Sequence, residues 1–206
     1  MNHVTTADQT QLYVKDWGTG RPVILTHGWP LSSDSWDDQA MALADAGFRV
    51  IAYDRRGFGR SSQPWSGYDD NTFADEMTTA MKGDRAKFLA GSFKDFFGVG
   101  LVSHPASAEL LEWARSVSMQ AGPKATLASA KALATTDFRP DLAAFRVPTL
   151  IIHSTADKTV PIDASGRAAA KAIKGAELIE YEGAPHGLFA TEKERFTRDL
   201  LEFVKR

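Results

Sequence analysis

The chain has 206 residues, a formal net charge of −2, 43% hydrophobic residues and no cysteine. That length fits a single domain, 1–206, and the near-neutral balance gives no electrostatic case for nucleic acid or an anionic membrane. Disulfides, thiolate metal sites and a cysteine nucleophile are excluded; the polar start and the lack of a long apolar run point to the cytoplasm.

Val4–Thr6 and Gln11–Asp16 flank a turn and read as an opening hairpin. Pro22–Thr26 is a short apolar run, expected as a buried strand that stops at His27-Gly28-Trp29-Pro30. Ser32, Ser33 and Asp34 offer N-caps for a helix to about Ala46, which Gly47 ends as a C′ residue. A second buried strand, Arg49–Tyr53, runs into the glycine-punctuated turn Asp54-Arg-Arg-Gly-Phe-Gly-Arg-Ser61. Pro64–Gly67 reads as loop, and Asp70 or Asn71 can cap a helix through Glu76.

From residue 77 to 145 the pattern is helical and strand-poor. Asp84–Phe97 carries Phe88, Leu89, Phe93, Phe96 and Phe97 at helical spacing, a stripe that reads as core before it reads as a substrate wall. Ser107–Met119 and Lys124–Ala134 repeat the signal. Alternation of strand and helix then returns: strand Val147–His153, helix Ala164–Ile173, strand Ala176–Tyr181, and a last helix capped by Thr191 and running to Lys205 with Phe196, Leu200, Leu201 and Phe203 or Val204 inward.

Two residues stand where acid–base chemistry is built in open α/β sheets. Asp157 follows the strand that ends at His153, and His186 lies in Gly183-Ala-Pro-His-Gly187 after the next strand. Taken with His27-Gly28-Trp29-Pro30 and the turn Asp54–Ser61, they make the chain resemble the α/β-hydrolases of the cofactor-free haloperoxidase, arylesterase and perhydrolase group, over nearly its whole length. The resemblance implies a mostly parallel sheet flanked by helices, with 77–145 as a helical cap. It implies Asp157 as acid and His186 as base, with the Trp29 backbone N–H as oxyanion donor and His27-Gly28 shaping the approach. It also implies small esters or carboxylic acids as substrates, and neither cofactor nor metal.

The nucleophile is missing. No Gly-x-Ser-x-Gly occurs in the sequence, whereas the fold places its serine in that elbow. The family continues after Phe73–Glu76 through a strand, the elbow, a helix and a further strand; this chain passes at about Glu76/Met77 into cap-like sequence. The economical reading is an internal deletion of about two central strands, natural or engineered, with weak or no esterase activity. The remaining functions are a pseudo-hydrolase that binds small acyl or aromatic ligands, or a truncated fold variant. Ser154, Ser32, Ser33 and Ser92 are the candidate surrogate nucleophiles. The deletion leaves Pro22–Thr26 and Thr149–His153 with open edges. Pairing between those strands is the favoured repair, and a homodimer joined through the edges is the other.

Overall fold

The computed structural model describes residues 2–65 and 75–206, with the side chains of the second stretch from residue 79 onward. The chain forms two compact units, residues 1–89 with 112–135, and residues 90–111 with 136–206.

The first unit is built on a four-stranded sheet in the order β1-β2-β4-β3. Strands β1 (His3–Thr5) and β2 (Gln11–Trp17) form the expected antiparallel hairpin. Strands β3 (Pro22–Thr26) and β4 (Arg49–Tyr53) pair in parallel, from Pro22 opposite Arg49 to Thr26 opposite Tyr53. Between them Ser32 caps a 3₁₀ turn, Ser33–Trp36, by accepting the Asp34 N–H, and helix α1 (Asp37–Asp45) follows. Gly47, at φ +88°, ends α1 as the sequence predicts: the N–H groups of Gly47 and Phe48 return to the carbonyls of Ala44 and Leu43. This closure satisfies orphan carbonyls at the helix end. Leu43, Val50 and Ala52 are buried, so the apolar runs of α1 and β4 supply core.

Helix α2 (Asp75–Phe96) breaks at Asp84, whose φ of −148° is non-helical. The Asp84 carboxylate accepts the Lys87 N–H at 2.9 Å, so the helix restarts with Asp84 as its cap. The expected helix from Asp84 is therefore the second limb of a longer one; the cap expected at Asp70 or Asn71 for a helix through Glu76, and the loop residues Ser66-Gly67, lie outside the described residues. Helices α3 (Ala108–Met119) and α4 (Pro123–Thr135) follow. Pro123 stands at the first position of α4, where a missing N–H costs nothing.

The second unit pairs β5 (Leu150–Ser154) with β6 (Glu177–Tyr181) in parallel. Around them in sequence are α5 (Arg139–Leu142), α6 (Gly166–Ala172), α7 (Leu188–Thr191) and α8 (Lys193–Val204). Its core is the cluster Tyr181, Ala184 and Leu188, against which Ile152, Ile179 and Phe196 pack. Two expectations are corrected. Thr191 does not cap the last helix: its hydroxyl donates to the Gly187 carbonyl at 3.2 Å inside α7, and Glu192 is the N-cap of α8. Nor do the two open strands pair with each other, since among the described residues β3 is bonded to β4 alone and β5 to β6 alone. Ile24, in the middle of β3, is 67% exposed. No helix of the described residues is long and apolar enough to cross a membrane.

Candidate active site

In the second unit the loops after β5 and β6 are knitted together. The Thr155 N–H reaches the Tyr181 carbonyl at 3.0 Å, and the Gly183 N–H donates to the Thr155 hydroxyl at 2.8 Å. This brings Asp157 and His186 into contact: the carboxylate Oδ2 lies 2.6 Å from Nδ1 of the imidazole. The other oxygen, Oδ1, accepts the N–H groups of Thr159 and Val160, each at 2.8 Å. A carboxylate held this way is fixed in plane by its own loop. The Asp157 side chain is 3% exposed and that of His186 is 31% exposed. Because a carboxylate accepts, Nδ1 of His186 carries the proton, and Nε2 keeps a lone pair for a substrate proton. Among the described residues Nε2 has no hydrogen-bond partner.

The His186 loop is seated on the end of α2. The Gly187 N–H donates to the Phe96 carbonyl at 2.9 Å, and the Phe96 ring stands edge-on to the imidazole with centroids 4.7 Å apart. Phe93 and Phe97 are buried, which bears out the reading of the stripe as core, while Phe96 is half-buried against His186.

In the first unit, His27 is buried and makes two ring contacts. Its Nε2 accepts the Arg55 N–H at 3.0 Å, so Nδ1 is the protonated nitrogen and donates to the Gly28 carbonyl at 2.9 Å. Burial pushes the imidazole down to about 4 and keeps it neutral, against the smaller upward pull of the Gly28 carbonyl. Trp29 is anchored by its indole N–H, which donates to the Thr126 carbonyl at 2.9 Å, and it packs on Phe58, Ala121 and Ala125. Its backbone N–H has no acceptor among the described residues. Nothing crowds a Cβ built on Gly28, so that glycine leaves open space. The adjoining turn is held by Asp54, which accepts the Ser33 N–H and hydroxyl at 2.8 and 2.6 Å and the Arg60 N–H and Nε at 2.8 and 3.0 Å. Burial raises the Asp54 carboxyl, but these donors outweigh it and hold it below the usual range.

The structure thus brings Asp157 to His186, and His27 to Gly28 and Trp29, in separate units. Ser32 and Ser33 are committed to the turn around Asp54. Ser154 is 1% exposed and its hydroxyl has no partner among the described residues, which places it inside the unit and away from solvent. Sequence reasoning missed His153, whose Nε2 lies 3.1 Å from the same Asp157 oxygen that meets His186. Its spacing of four residues from Asp157 across a strand end was the available signal.

Comparison with known proteins places these features in context. Residues 21–98 match the family model described as alpha/beta hydrolase fold, and residues 104–194 match that of serine aminopeptidase, S33. Non-heme chloroperoxidase CPO-A1 of Kitasatospora aureofaciens is 32% identical over 271 residues, covering 98% of each chain. The bifunctional esterase/perhydrolase DCH of Acinetobacter calcoaceticus is 32% identical over the full length of both. Among solved structures, a bromoperoxidase from Bacillus anthracis is 33% identical with a TM-score of 0.87 and 96% of each chain covered. An esterase from Exiguobacterium antarcticum reaches a TM-score of 0.91 at 25% identity, covering 100% of this chain and 99% of its own.

Proposed function

The chain belongs to the haloperoxidase and esterase group of the α/β-hydrolase family, and from that premise we propose that it keeps the acid and base of a serine hydrolase without the nucleophile. Within the second unit Asp157 orients His186 and stabilises its protonated form, and His186 takes and returns a proton at Nε2; the oxyanion-donor role of the Trp29 N–H, with His27 and Gly28 setting its loop, rests on the family resemblance of that loop alone. The ligands of this reading are small esters or carboxylic acids, in line with the names of the esterase and perhydrolase relatives. The observation that carries it is the 2.6 Å contact between Asp157 and His186 in a sequence with no Gly-x-Ser-x-Gly. An internal deletion accounts for the gap: the match to the chloroperoxidase extends over 271 residues, longer than the 206 of this chain.

Members of a triad act as a unit, so losing the serine removes covalent catalysis and leaves binding and general-base attack by water. Aryl-ester turnover should then exceed the uncatalysed background by no more than about 10⁴-fold. Hydrolysis at ordinary enzyme rates that disappears in Asp157→Asn and in His186→Ala would refute the proposal.

A second reading, a pseudo-hydrolase that binds small acyl or aromatic ligands, is favoured by the half-buried Phe96 ring edge-on to His186. Equilibrium dialysis with benzoate against a Phe96→Ala variant separates the two, since the variant should lose binding only if this ring forms part of the ligand wall.

A further inference from the structure

The turn Asp54–Ser61 holds three arginines, and two of them meet carboxylates: Arg56 pairs with Asp8, and Arg60 with Asp54 and Asp34. Arg55 has no such partner among the described residues. Its Nε and Nη2 are buried and without an acceptor. Those two atoms donate side by side, on the edge where a guanidinium takes a carboxylate in two parallel bonds. This chain uses the same edge elsewhere: Arg49 on Asp16, Arg115 on Glu112, Arg139 on Asp137 and Arg167 on Glu180, all within 2.9 Å. The adjacent acid does not serve Arg55, because Asp54 spends both oxygens on Ser33 and Arg60. Burial pulls the Arg55 pKa below its ordinary value, yet a guanidinium keeps its proton at neutral pH. Its charge is therefore left unanswered inside the first unit.

The surroundings define what would answer it. The guanidinium lies over the Phe58 ring, with Cζ 4.9 Å from the centroid, which leaves its in-plane edge for an acceptor. Phe58 belongs to an apolar cluster with Ala121 and Ala125, on which Trp29 packs. His27, edge-on to Phe58 and bonded to the Arg55 backbone, is neutral and adds no second positive charge. Gly28 beside it leaves open space. We propose that Arg55 anchors a carboxylate-binding site in the first unit, which takes a monocarboxylate carried on an aromatic or short acyl body. The site does not use Asp157 or His186, and it stands whether or not that pair acts on esters. The groups that cover the fork must yield to admit the ligand, and the unanswered charge beneath them favours that exchange. The plainer role for Arg55, packing on Phe58, predicts no response to a carboxylate.

The test is a proton–nitrogen NMR titration of the full chain with benzoate at neutral pH and low salt. It follows the Arg55 Nε–H and the indole N–H of Trp29, which reports on the same cluster in every variant. Both resonances should shift to saturation in the wild type. Benzamide, the same shape without the charge, should bind about tenfold more weakly or worse. Arg55→Met should abolish the Trp29 response. Arg55→Lys keeps the charge without the fork and should lose about tenfold in affinity or more; it decides the matter if Arg55→Met does not fold. Arg56→Gln removes the same charge one residue away and should bind as the wild type does. No shift at Arg55, equal affinity for benzamide, or an unchanged Trp29 response in the folded Arg55 variant overturns the site. An equal loss in Arg56→Gln overturns it too, since attraction by net charge would then suffice. The titration should be unchanged in Phe96→Ala, so failure at Arg55 leaves the reading of Asp157 and His186 untouched.

Discussion

The Nε2 atom of His27 accepts the backbone N–H of Arg55 at 3.0 Å, which ties the loop after β3 to the turn after β4. Only a neutral imidazole can accept there. The folded chain holds His27 at about 4, well below the ordinary value of 6.5, chiefly through burial. Unfolded chains therefore bind a proton that the folded one refuses between those limits. Stability from this residue is full above pH ~6.5, falls as the pH drops toward ~4 and is constant below, a change of about 3 kcal/mol in all. Chemical denaturation at a series of pH values should show the decline, and His27→Gln should flatten it. The buried Asp54, held below the usual carboxylate range, loses its contribution at lower pH, so the two windows separate. An equal slope in the variant would contradict this assignment.

The turn of Asp54 leaves no space at Gly59. With φ at +51°, a Cβ there would fall 2.3 Å from Asp54 Oδ2, on a carboxylate that is itself completely buried. Gly59→Ala is expected to cost about 2 kcal/mol or more. Asp54→Asn should cost about 3 kcal/mol, because an amide turns a donor toward the N–H groups of Ser33 or Arg60 and leaves the Arg60 guanidinium with Asp34 alone as its charge partner. Thermal melts measure both, and a loss within error of zero at either position would show that the turn can relax.

Beside His186, a Cβ on Gly187 would lie 2.4 Å from Cδ1 of Phe97, which is fully buried. Gly187→Ala should cost ~1–3 kcal/mol by overpacking. It should also loosen the 2.6 Å contact between His186 and Asp157. Melting and the His186 Nδ1–H resonance report the two effects separately. A stable variant with an unchanged resonance would mean that the loop yields without moving the imidazole.

Much of this molecule was legible locally. The strands β3 and β4, Gly47 as the end of α1 and the strand-end position of Asp157 all follow from neighbours within a few residues, but the burial expected of β3 does not hold, since of its residues only Leu25 is buried. The pairing of open strands was not legible, because β3 and β5 are far apart in sequence and the edge each leaves is a tertiary choice. Arg85 illustrates the same limit. Its guanidinium donates to the carbonyls of Ser118 and Ala121, each at 2.8 Å, supporting the end of α3 from a position 33 residues before Ser118. The kink at Asp84 reads in hindsight as a capping residue inside a helical pattern. His153 escaped because a histidine on an apolar strand more often packs than bonds, and only the fold of the β5 loop turns Asp157 back toward it.

The central claim is an intact acid–base pair without a nucleophile. Intact-mass spectrometry after incubation with a serine-directed fluorophosphonate, beside a His186→Ala control, tests it most directly. No adduct on the folded protein is the result expected here. A single adduct that forms in the wild type and not in the control would contradict it, and peptide mapping would then name the serine that His186 activates.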